Sequence, residues 1–218
     1  MSSHQNPWIA LPMEAPFVLP CDRPFVDQYN KSTKAKNFRI HTSLLPEPFH
    51  GNPGAPVVVL LLNPGVGTQE EKLHKNVAFA RALRNSITQG TSVEHFHLVD
   101  ESKGPGHVWW KKACKALQQV ESLPSRLLSV EFSPYHSKSF GHGHLRLPSQ
   151  EYSFQLVRQA MQREALIVCM RGQSLWFGAI PELAAYDHLL NLRNPRSASL
   201  SPGNLNGFDQ LLAAVNGG

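Results

Sequence analysis

With 41% of its 218 residues hydrophobic and 17% charged, the chain has enough apolar surface for a sizeable core and too little charge for a disordered protein. A formal net charge of +5 suits an anionic partner without requiring one, and three widely separated cysteines, Cys21, Cys114 and Cys169, argue against a disulfide framework or a zinc ribbon. The longest apolar run, residues 57–62, is far shorter than the roughly 20 residues of a spanning helix, and the polar, proline-broken amino terminus does not read as a secretory signal, so a cytoplasmic protein with no membrane partner is expected.

Residues 1–56 are rich in proline and aromatic residues and lack sustained helical periodicity; they read as an extension packed on the domain that follows, 57–218. A short strand is expected within 37–45, and the basic cluster Lys31, Lys34, Lys36 and Arg39 reads as a solvated face. The β-branched and leucine run at 57–62, bounded by Pro56 and Pro64, has the pattern of a strand buried on both faces of a parallel sheet. Leu73, Val77, Ala80 and Leu83 then mark a helix over 70–87. Trp109, Ala113, Ala116, Leu117 and Val120 mark another over 108–120. Further strands are predicted at 126–132, 165–170 and 188–192, with helices at 152–163 and 174–183 and a last helix, capped by Asn206, running to Val215. The alternation predicts an α/β fold, a three-layer α/β/α sandwich around a mainly parallel four-stranded sheet, with ligands bound at the carboxyl ends of the strands.

Four polar loops follow the four strands, at 63–67, 133–137, 171–174 and 194–199, and a parallel sheet brings them to one edge. Asn63-Pro64-Gly65 closes the first strand as a pocket floor, where the Gly65 and Val66 amides can face a polar ligand; Arg171 belongs to the third loop. In unrelated proteins Asn-Pro and Pro-Gly pairs also act simply as strand terminators.

Leu-Leu-Asn-Pro-Gly at 61–65 resembles the Asn-Pro-Gly turn of the mismatch-specific and single-strand-selective members of the uracil-DNA glycosylase superfamily, and the order of elements over 57–215 is similar. The resemblance implies a glycosylase that flips uracil or a related damaged base from DNA and hydrolyses its N-glycosidic bond without a cofactor, with Asn63 orienting the water. The loop 194–199 is similar to the superfamily's His-Pro-Ser-Pro-x-Ser loop, which implies that Asn194 faces the leaving base while Arg196, Ser197 and Ser199 track the DNA backbone. Asn194 stands where that loop has histidine, and Arg196 where it has serine. Loss of one anion-stabilising donor costs about 100- to 1,000-fold in rate, so a catalytically inactive nucleic-acid or nucleotide-binding module of the same fold is the alternative.

In the second loop, Phe132 or Tyr135 can stack on a base and His136 can supply the donor or acid that Asn194 does not; a plain proline turn with a surface histidine is the competing reading. A hydrolase using His136 with Ser133 or Ser137 lacks an acidic partner in the sequence pattern. His136, His142 and His144 lie close in sequence, and His107 can approach them, but no carboxylate or cysteine joins them at a familiar ligand spacing, so no metal site is expected.

Overall fold

In the computed structural model, which describes residues 5–88, 94–99 and 104–217, the valine and leucine run at 57–61 lies at the centre of a five-stranded sheet. The strands are β1 (Phe49–His50), β2 (Val57–Leu61), β3 (Leu127–Glu131), β4 (Leu166–Cys169) and β5 (Leu189–Asn191), in the order β1-β3-β2-β4-β5. All neighbours are parallel except β1, which pairs antiparallel with β3. The expected four strands are present, and the sheet gains the fifth at its edge. Two residues are too few to show an alternating pattern, which is why β1 has no signature in the sequence. The expected strand within 37–45 does not form; a 3₁₀ turn, Lys36–Phe38, occupies its start.

Every residue of β2 is buried, and successive side chains enter opposite apolar clusters. Val58 and Leu60 join Leu128, Val130, Ile167 and Trp176; Val57, Val59 and Leu61 join Trp110, Val168, Leu211 and Val215. Eight α-helices are present among the described residues: α1 (Arg23–Ser32), α2 (Glu70–His74), α3 (Val77–Thr88), α4 (Pro105–Ala113), α5 (Leu123–Arg126), α6 (Gln150–Gln162), α7 (Gln173–Ala179) and α8 (Phe208–Asn216). None is long and apolar enough to cross a membrane.

Local signals explain where these helices depart from expectation. The helix expected over 70–87 is broken, because the Asn76 side chain accepts the Phe79 amide and starts α3 afresh. Pro24 lies in the first turn of α1, where no N–H is needed, so a helix that buries Val26 and Tyr29 opens within the stretch expected to lack helical periodicity. At α8 the cap is Gly207, at φ +80°, rather than Asn206, whose side-chain Oδ1 accepts from Arg193 Nε.

Residues 5–56 are tied to the rest by core contacts and backbone bonds. Trp8, Leu19, Val26 and Leu45 belong to the same cluster as Val58 and Leu60. The amides of His41 and Glu47 donate to the carbonyls of His136 and Pro134. Buried Asp22 accepts from the Ser149 amide and hydroxyl and from the Tyr135 hydroxyl at 2.7 Å, while that hydroxyl accepts the Leu19 amide at 3.1 Å. Tyr135→Phe leaves the Leu19 N–H unpaired in the core and is expected to lower unfolding stability by about 1–3 kcal/mol in urea titration; unchanged stability would contradict this role.

Candidate functional site

The carboxyl ends of β2 and β3 open into a cavity of about 460 Å³ lined by Asn63, Pro64, Gly65 and Val66 from the turn after β2. Glu131 ends β3, and His136, Ser137 and Lys138 follow it in the next loop; Arg171 comes from the loop after β4. The amino-terminal segment contributes Glu47 and His50, the helices after β2 contribute Glu70, and Trp109 and His97 complete one wall. Asn63 is anchored by its amide nitrogen, which donates to Pro64 O at 2.9 Å and Ser137 Oγ at 3.0 Å, so Oδ1 is the atom left to accept from a ligand.

Glu47 is the electrostatic centre. Its Oε2 accepts from His50 Nε2 at 2.9 Å and His97 Nε2 at 2.6 Å, and its Oε1 lies 3.3 Å from His136 Nε2 and 3.8 Å from His74 Nε2. Burial alone would raise its pKa, but the charge of His97 and the hydrogen bonds from His136, His50 and His97 outweigh burial and hold it well below the usual carboxylate range. Glu47 is therefore ionised.

His136 is its counter-charge. Nδ1 faces Gly65 O at 2.7 Å and Nε2 faces Leu45 O at 3.0 Å, so both nitrogens must donate. Burial opposes the charged ring, yet the hydrogen bond and charge of Glu47, with the Gly65 carbonyl, raise its pKa. His74 has the opposite character. Its Nδ1 accepts the Leu45 amide at 2.9 Å, which keeps the proton on Nε2, and burial, then the His136 charge, push its pKa down to about 4. Burial, reinforced by Glu47, raises Glu70, and the same causes push Glu131 well above the usual range. Glu131 Oε2 has no hydrogen-bond partner among the described residues.

Comparison with protein-family models, with curated proteins and with solved structures found no match.

Of the residues singled out by sequence, Asn63, Pro64, Gly65, Val66, His136 and Arg171 share the cavity lining. Phe132 and Tyr135 are placed elsewhere: both are 0% exposed, Phe132 packed on Phe154 and Trp176, Tyr135 bonded to Asp22. A ring closed in the core on all sides has no face for a base, which corrects the expectation of stacking. His136 has both N–H groups engaged by protein acceptors, which leaves none to protonate a leaving base. The loop 194–199 is also outside the lining. Asn194 Oδ1 accepts the Arg196 amide in a local turn, and Asn204 Nδ2 donates to Ser197 O and Ser199 O. Arg196 and Ser197 are exposed and Ser199 is half-buried.

Glu47, His50, His74, His97, Glu70 and Glu131 were not singled out by sequence. The available signals were Glu47-x-x-His50 and His95-x-His97, each weak alone and about fifty residues apart. The histidines grouped by sequence do not converge. His142 Nε2 bonds Ser133 Oγ at 2.9 Å and its ring packs on Tyr29 and Phe140, His144 packs on Tyr29, and His107 Nδ1 donates to His97 O.

Burial, then the His144 charge, lower the His142 pKa to about 4 from an ordinary value of about 6.5. The unfolded chain then takes up a proton that the folded chain refuses, so stability present above pH ~6.5 is lost as pH falls towards 4. Between pH 7 and 4.5 the unfolding free energy of His142→Gln should fall less than that of wild type, by roughly 1–3 kcal/mol, in urea titrations at the two pH values.

Proposed function

We propose that this chain hydrolyses the N-glycosidic bond of uracil or a related damaged base in DNA, in a three-layer α/β/α fold of the uracil-DNA glycosylase type. The observation that carries this reading is Asn63 at the carboxyl end of the central strand, its amide nitrogen tethered so that Oδ1 is the acceptor for a water, in the same cavity as an ionised carboxylate. Asn63 orients the water but cannot take its proton, which is lost to solvent after the water has added to the sugar carbon, while the departed base anion is protonated from solvent. Glu47 stabilises the positive charge that develops on the sugar as the bond to the base lengthens. The base leaves with negative charge, and Lys138 and Arg171 line the cavity as donors for it. Exposed Arg196 and Ser197, with Ser199, would meet the DNA backbone.

The second reading is a binding module without turnover, and the placement of Asn194 favours it. That side chain is used within its own loop and lies outside the cavity lining, so it offers the base no donor there.

Incubation with single- and double-stranded uracil-containing DNA, followed by alkali to cut abasic sites, separates the two. Wild type should cleave, Asn63→Ala should be slower by about 100- to 1,000-fold, and Asn194→Ala should change the rate by less than about tenfold. DNA retained without any cleavage would establish the binding module instead; neither cleavage nor salt-sensitive binding would remove both readings.

A further inference from the structure

We propose that Glu47, His50 and His97 form a divalent-metal site of the zinc type whose remaining coordination position opens into the cavity. The inference does not use the glycosidase reading, in which Glu47 acts without a metal, and rests on the donor set. One ligand atom from each of Glu47, His50 and His97 lies within 4.8 Å of the other two, and the three residues are buried. Two imidazoles and a carboxylate are the ligand types zinc takes when it keeps a fourth position for water or another small ligand. All three residues line the cavity, which supplies that fourth side.

The hydrogen bonding around the three residues is compatible with the same assignment. Among the described residues, the only hydrogen bonds of the His50 and His97 rings are those their Nε2 atoms make to Glu47, and Nδ1 of each has no partner. A metal would replace those two N–H···O bonds, ligation at Nε2 leaving each ring's proton on Nδ1. The other oxygen of the carboxylate faces the His136 cation, which is fixed in turn by Gly65 O. That is an outer partner of the kind that aims a ligating carboxylate. Glu70 and Glu131 line the same cavity.

The same geometry rules out the neighbouring triple of Glu47, His74 and His136. His74 Nδ1 receives the Leu45 N–H, which leaves its Nε2 protonated, and His136 donates from both nitrogens. Neither ring presents a lone pair.

The test is zinc titration of the EDTA-stripped full chain in competition with a chromogenic chelator, with the visible spectrum of the cobalt(II)-loaded wild type as a second readout. One equivalent should bind with a dissociation constant on the order of 1 μM or tighter, and the cobalt spectrum should have the intense bands of a low-coordinate nitrogen and oxygen site. His97→Ala and His50→Ala should each weaken zinc by ~100-fold or more, with folding checked by circular dichroism, whereas His142→Gln should bind as wild type does. No uptake by the wild type would overturn the proposal without recourse to any variant. Binding that persists in the His50→Ala/His97→Ala double variant would overturn it as well.

Discussion

The carboxylate of Glu47 is the constraint on which the site depends. A buried charge is costly unless its hydrogen-bonding capacity is met, and three imidazole nitrogens within 3.3 Å meet it here. Those rings come from β1, from the segment preceding α4 and from the loop after β3, so satisfying one carboxylate draws three distant stretches of chain to the same end of the sheet. The amino-terminal segment is held by the same requirement: the Glu47 amide donates to Pro134 O, and Pro48 O accepts the Glu131 amide.

This arrangement gives neighbouring groups different protonation states at one pH. His136 is held as a cation by two carbonyls and Glu47, whereas His74, 3.8 Å from the same carboxylate, is held neutral because a backbone N–H occupies its Nδ1. Charge, acceptor and donor are thus fixed in place before any ligand enters, which is the condition under which a site stabilises developing charge without reorganising. Asn63 belongs to the same scheme, since its tether to Ser137 runs to the loop that carries His136.

The legible parts of the fold were those with a local cause. Residues 57–61 are apolar at every position because both faces of the central strand are covered, and the strands at 127–131, 166–169 and 189–191 carry versions of the same signal. The Asn63 turn was legible because a proline and a glycine end such a strand with few alternatives. What stayed hidden had no periodicity to show. β1 is two residues long, and α1 opens on a proline whose meaning depends on whether a helix follows. Tyr135 is a core residue because the amino-terminal segment closes over it, and Phe132 because Phe154 and Trp176 pack on it.

By itself the sequence determined the alternation of strands and helices, the buried central strand and the polar turn at its end, because each follows from burial within a few consecutive residues. Only the tertiary structure decided that Glu47 meets His50, His97 and His136, that His142 and His144 turn away, and that the loop at 194–199 lies outside the cavity lining. Strand pairing sets those outcomes: the antiparallel register of Phe49 with Val130 and His50 with Ser129 brings the Glu47 segment to the end of β3, and no local pattern encodes a partner eighty residues away.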